Sequence, residues 1–345
     1  MTHKITSFII AETEPRVGAP QRGEPTTVVS GKSAPHYFAK TVPSQLIVGV
    51  EKVSIAGREI EITAKTYGPD TILVEGTLEV PDIFAEDVWS IKDKLKEVCY
   101  DFARRQNAKD EPAEEYTLYQ ISGYHGDPGK IVAQKAVRIV GLLKSEKLEL
   151  DPKEIEYSLS FQFKYGRGDL VIVDWDGAFA FDQEGEFGET LELLELANYQ
   201  LLRYRILDMQ LDDKIKTVSK LSMADKRHWR LWRSSDISAE FRGLIKTRSQ
   251  AIAQFEALER DIKLIGDWYS ARLYDLLSKK FRLDGWRQAV REKMDSLRDI
   301  YTIASENLGM SRHQRLELIQ IWAFFVLQIG WFLLIILEFF YFSSQ

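Results

Sequence analysis

Cysteine is almost absent from this chain: Cys99 is the only one in 345 residues. An internal disulfide is therefore excluded, and a reducing compartment suits the protein. Histidine is scarce too. His3, His36, His125, His228 and His313 are scattered with no two at ligand spacing, and no CxxC or HExxH string occurs. No metal centre and no cofactor is expected. P-loop and nucleophile-elbow strings are also missing, so no enzymatic chemistry is expected. There is no basic excess. The net charge is −6, which gives no global field for nucleic acid. The N-terminus MTHKITSFIIAETEPR lacks the apolar run and cleavage site of a signal peptide, and it is too acidic for a transit peptide.

Long apolar runs are missing everywhere except once. Residues Ile319–Phe342 read IQIWAFFVLQIGWFLLIILEFFYF. A helix of about 24 residues at roughly 1.5 Å each reaches about 36 Å, enough to cross a hydrocarbon core of about 30 Å. Thirteen Ile, Leu, Phe and Val residues lie between Ile319 and Leu337. At roughly 0.3–0.6 kcal/mol each they favour insertion by about 5 kcal/mol. Ile319, Phe325, Leu334 and Ile336 supply apolar surface, and Trp322, Trp331 and Tyr341 aromatic surface, with Trp322 and Tyr341 suited to the interfaces. Gln328 and Gly330 fall near mid-bilayer, where an amide and a close-approach glycine suit a helix–helix contact. Arg312, His313 and Arg315 precede the span, and no Lys or Arg follows it. The expectation is a tail-anchored, single-pass protein of the cytoplasmic (inner) membrane, its N-terminal body in the cytoplasm.

Ahead of the span, the chain reads as an α+β head of ferredoxin-like or split βαβ character, then a long helical hairpin stalk, then the membrane helix. Residues 1–110 form the first α+β unit. It has strands at Ile5–Ala11, Leu46–Val50, Ile60–Tyr67 and Thr71–Val80, and a helix from Pro81 to Arg105, with a flexible Pro/Gly/Ser-rich stretch over 12–43. A charged linker is expected at Ala108–Glu115. Residues 111–185 form the second unit, with a helix over Gly129–Ser145 and strands at Tyr116–Ser122, Ile155–Phe163, Leu170–Asp174 and Ala178–Phe181. Asp176-Gly177 reads as a hairpin turn and not as a calcium loop, because the later ligands are missing. Gly166-Arg167-Gly168 also reads as a turn. Residues 186–318 form the stalk. Its second helix carries a near-heptad seam from Phe241 to Leu276, which predicts a coiled coil and a homo-oligomer. Arg282-Leu283-Asp284-Gly285 is read as the turn into a third helix. Residues 319–342 form the anchor. Asp208, Asp212 and Asp213, with lysines nearby, read as a solvated charge pattern.

One cluster carries more information. Lys226, Arg227, Arg230 and Arg233, with Trp229 and Trp232, fall within eight residues. Guanidinium groups interleaved with indoles suit RNA or an anionic membrane surface. Packing of the tryptophans at a helix junction is the competing reading.

The segment GDLVIVDWDGAFAFD followed by ETLELLELANYQLLRYRILDMQLDDKI resembles the required-for-meiotic-nuclear-division family. So does the C-terminal YDLLSKKFRLDGWRQAVREKMDSLRDIYTIASENLGMSRHQRLELIQIW. The resemblance covers about residues 115–342. Family members include the mitochondrial inner-membrane protein needed for translation there, yeast relatives and many bacterial proteins. It implies a membrane-anchored, non-enzymatic protein, with a ribosome or RNA as partner by analogy with the mitochondrial branch. The expected function is thus a membrane scaffold or adaptor, its partners the lipid bilayer and other copies of the chain. The alternative is a magnesium-transporter-like protein with a cytosolic head and stalk. That layout needs two membrane helices, and its Gly-Met-Asn signature has no match here.

Overall fold

The computed structural model describes residues 1–13, 24–25, 45–67, 70–223, 249, 252–253, 255–256 and 268–343. The chain divides into two units. One comprises Met1–Gln210 with Ser249–Arg291, and the other Leu211–Arg248 with Glu292–Gln345.

Alternation of β-branched and polar residues builds the first unit's sheet. Its strands are β1 (Thr2–Thr13), β2 (Glu24–Pro25), β3 (Gln45–Ile55), β4 (Arg58–Tyr67), β5 (Thr71–Val80), β6 (Ala108–Ser122), β7 (Gln162–Phe163), β8 (Asp169–Val173) and β9 (Gly177–Asp182). Among the described residues these nine form one mixed sheet in the order β2-β3-β4-β5-β1-β6-β9-β8-β7. β1 lies between β5 and β6 and is antiparallel to both. Its insertion merges the two expected α+β blocks, and the boundary expected near residue 110 falls inside β6. β6 and β9 pair in parallel, which requires the crossover carried by the intervening helices.

Helix α1 (Val88–Arg105) links β5 to β6, and α2 (Gly129–Lys144) and α3 (Pro152–Ser160) follow β6. Their apolar stripes cover one face of the sheet. Ile5, Ile9, Ile62, Val74 and Tyr119 of the strands join Leu95 and Phe102 of α1 and Ile139 of α2 in one buried cluster. Helix α4 (Gly188–Met223) and α5 (Trp268–Lys280) come later in the chain, followed by α6 (Leu283–Ser343). The opposite face of the sheet meets this later chain: Tyr67 packs on Tyr199 with ring centroids 5.0 Å apart, and Tyr116 on Phe281 at 5.8 Å. Leu193, Leu194, Ala197 and Leu201 are buried. Residues 188–210, expected in the stalk, are therefore part of the first unit's core.

Three further expectations are corrected. Ile155–Phe163, read as a strand, is mainly α3. Asp151 caps it by accepting from the Lys153 amide at 2.8 Å, and Pro152 sits at its first position, where the missing N–H costs nothing. Ala108–Glu115, read as a linker, is the first half of β6, paired to β1. The turn expected at 282–285 lies at Phe281-Arg282, with Arg282 left-handed (φ 52°), and Asp284 already belongs to α6. The stretch 14–23 and 26–44, and nearly all of the seam from 241 to 267, lie outside the described residues.

The Asp176-Gly177 hairpin forms as expected, with the Asp174 amide donating to the Gly177 carbonyl at 2.8 Å. Gly177 is required there. A Cβ on it would stand 2.7 Å from the Thr117 carbonyl oxygen, backbone that the sheet holds fixed. Gly177→Ala is expected to lower stability by about 1–3 kcal/mol, as overpacking does, read as a fall in the denaturant midpoint with unchanged slope.

In the second unit Leu211 and Leu297 are buried, and Lys293 pairs with Asp212 at 2.7 Å. Asp213 is largely exposed beside Lys216, in keeping with a solvated charge pattern.

Candidate functional site: an unburied apolar helix and a charged inner layer

Helix α6 carries one candidate membrane span, Glu317–Ile336. Within these 20 residues the most apolar 18-residue window has a mean hydropathy of 2.2, and none of that window is buried. Trp322 is 70% exposed, Phe325 55%, Trp331 71% and Leu334 64%. Ile319 and Ile336 are exposed as well, and so are Gln328 and Gly330. A Cβ on Gly330 would meet nothing within 4 Å. Tyr341 lies on the same helix, and its side chain falls outside the described residues. Exposure runs round every side of the helix, whereas a docking helix shows one apolar stripe. Full burial of a large apolar side chain brings about 1.5–3 kcal/mol. More than ten such side chains exposed together represent a driving force far above that of scattered surface residues. Lys226, Arg227, Trp229, Arg230, Trp232 and Arg233 lie outside the described residues.

The first unit holds charges that composition and spacing did not reveal. Asp174, the last residue of the buried run VIVD, is 1% exposed. Its Oδ1 accepts from the Trp175 amide at 2.8 Å and pairs with Lys280 Nζ at 2.8 Å, and Lys144 Nζ stands 3.8 Å from Oδ2. Lys280 Nζ also lies 4.2 Å from the centroid of the Phe161 ring. Tyr116 donates its hydroxyl to the Asp174 carbonyl at 2.9 Å. The turn reading of Asp174-Trp175-Asp176-Gly177 was thus correct for the backbone but missed a buried ion-pair centre.

In the middle of β6, Glu114 pairs with Arg205 at 2.7 Å. Burial pushes its carboxyl up to about 7, against the pull of Arg205. Arg203, also on α4, pairs with Asp70 at 2.7 Å. On the α1 side, Lys92 donates to Ser145 Oγ at 3.0 Å, and burial lowers its pKa. Ser145 caps the C-terminus of α2 in a left-handed conformation (φ 54°), where a nearby ammonium suits the negative end of the helix dipole. His3 is buried and accepts from the Ile83 amide at its Nδ1, 3.1 Å away, and burial lowers its pKa. It anchors a loop. No group of three or more metal-ligating side chains occurs among the described residues. The charges of this layer join α4, α5 and α2 to the sheet, and their partners lie far apart in sequence. The only local signals are the acidic residues that end or interrupt buried strands.

No solved structure matches this chain. A protein of Methanocaldococcus jannaschii described as Uncharacterized protein MJ0711 is 29% identical over 259 residues, 75% of this chain and 77% of that one. Residues 10–187 match the family described as Uncharacterized protein MJ0711, N-terminal domain. That stretch begins in β1, runs through the rest of the sheet with α1 to α3, and stops just before α4. Because the match takes in more than half of the chain, this protein belongs to the MJ0711 N-terminal domain family.

Proposed function

We propose that this chain is a membrane-tethered adaptor without catalytic activity, in which α6 holds an α+β head at a bilayer surface. The observation that carries this reading is the apolar stretch Glu317–Ile336, long enough to span and exposed on all sides. Arg312 and Arg315 on its N-terminal flank favour a cytoplasmic head by the positive-inside rule. The topology β5-α1-β6 with β1 between the two strands is the basis for reading a split βαβ unit in the head. The end of α4 from Leu211 and α6 from Glu292 onward serve as the stalk, and self-association runs along it. The resemblance to the required-for-meiotic-nuclear-division family supports a ribosome or RNA as the tethered partner, with Lys226, Arg227, Arg230 and Arg233 as the contacting cations.

Affinity purification of the full chain from detergent-solubilised membranes tests the adaptor role. A reproducible macromolecular partner is expected to co-elute, and crosslinking in membranes is expected to trap dimers or larger species. Reversal of charge at Arg227, Arg230 and Arg233 is expected to reduce ribosome co-sedimentation at least tenfold while leaving membrane association intact. Elution of a bare monomer, with crosslinking giving no higher species, contradicts the reading.

A further inference from the structure

Three ionisable side chains from three elements meet beneath α4. Lys65 of β4 and Glu75 of β5 form an ion pair whose side chains are 13% and 18% exposed. Glu195 of α4, 1% exposed, shares a hydrogen bond with Glu75. We propose that Glu75 and Glu195 form a buried proton-binding site, in which one retained proton bridges the two carboxyls and ties α4 to the sheet.

An ionised carboxylate only accepts hydrogen bonds. Two carboxyl groups in a hydrogen bond therefore need a hydrogen between their oxygens, with the protonated carboxyl donating to the ionised one. One oxygen of each carboxyl, Glu75 Oε2 and Glu195 Oε1, is buried with no donor to satisfy it. That environment is costly for two full anions and far less so for one neutral acid beside one paired anion. With Lys65 charged and one proton held between the two carboxyls, the trio is neutral. The other ionisable groups facing it are Glu192 from α4 and the Cys99 thiol from α1, which senses Glu75. Neither brings a second positive charge. Burial raises Glu195 well above the ordinary carboxyl range, the Glu75 and Glu192 charges add to this, and Lys65 opposes it. Burial also works against the Lys65 ammonium, but Glu195 and Glu75 outweigh it, and Lys65 stays charged.

A carboxyl whose folded pKa lies above its unfolded value binds its proton more tightly in the folded chain. The stability it contributes is complete below the unfolded value and is lost as pH rises through the folded one. α4 is thus held most firmly below the unfolded carboxyl range and progressively less firmly as the pH rises above it toward the folded value. This inference concerns the first unit alone and stands apart from the membrane reading.

Infrared difference spectroscopy of the full chain in detergent at pH 9 tests it, with Glu195→Gln as the variant. At that pH Glu114 is ionised and does not contribute. The wild-type chain is expected to show one carboxylic-acid carbonyl band that shifts in D2O, and the variant is expected to lack it. The variant amide can still donate to Glu75, so its melting temperature is expected to exceed that of wild type at pH 9, with a flatter pH profile. Should Glu195→Gln not fold, Glu195→Met removes the same proton carrier. Absence of the band in the wild-type chain, or its survival in the variant, overturns the proposal.

Discussion

Asp174→Ala is expected to destabilise the first unit by about 3–5 kcal/mol, the range for removing one partner of a buried ion pair. The loss arises less from the missing attraction than from what remains. Lys280, 6% exposed, keeps its ammonium beside Phe161 with its carboxylate gone. The Trp175 amide loses its acceptor at the tip of the β8–β9 hairpin. Asp174→Asn keeps the shape and one acceptor oxygen, so it should fall between wild type and alanine. The informative companion is the double variant Asp174→Ala/Lys280→Met. It removes both charges and fills the space with an apolar side chain, so it is expected to recover most of the loss. Equilibrium denaturation of wild type, Asp174→Ala, Lys280→Met and the double variant closes the cycle. Additive losses would show that the two residues act independently and would contradict the ion-pair account.

The other large effect lies in α6. Placing arginines at Val326 and Leu327, near the middle of the span, costs about 2.5–3.5 kcal/mol per charge on the insertion scale, and the two apolar side chains they replace no longer contribute. The total exceeds the roughly 5 kcal/mol that the apolar residues provide. Val326→Arg/Leu327→Arg is therefore expected to move the protein from the membrane pellet to the soluble or aggregated fraction. A matched pair at Asp212 and Asp213, which lie in the other part of the second unit, should leave fractionation unchanged. Equal pelleting of both variants in lipid-containing fractions would count against insertion.

How much of this was legible before any coordinates depended on how local the signal was. β4 was readable from its alternation and β5 from its β-branched run, both written in consecutive residues, and α1 and α2 because apolar side chains recur at helical spacing. α3 was misread for a physical reason. Ile155, Tyr157, Leu159 and Phe161 alternate with polar residues as a strand would, and the cap signature Asp151-Pro152 had to outweigh that pattern. The first half of β6 was lost because Lys109, Asp110, Glu111, Glu114 and Glu115 give it the composition of a linker. Pairing to β1, almost a hundred residues earlier, holds it in the sheet. The fusion of two expected units into one sheet has the same origin, since β1 takes its place between strands that come much later.

The charged inner layer was the least legible part. Arg203 meets Asp70 and Arg205 meets Glu114 across sequence separations of 133 and 91 residues, so no spacing rule connects them. Nothing in the sequence sets Glu195 apart from the other acidic residues near it, and only the packing of α4 on the sheet makes it a buried neighbour of Glu75. The apolar stretch in α6 was legible as a candidate span, because length and composition alone define such a candidate. The tryptophan and arginine cluster at 226–233 rests on sequence alone.

The central claim is that hydrocarbon surrounds residues Glu317–Ile336, and flotation tests it most directly. Purified full-length chain is exchanged from detergent into liposomes, washed with alkaline carbonate and centrifuged in a density gradient without detergent. The account predicts that the protein rises with the lipid after the wash and that a chain ending at residue 316 stays at the bottom. A full-length protein that remains soluble and monomeric at the bottom of the gradient would contradict it.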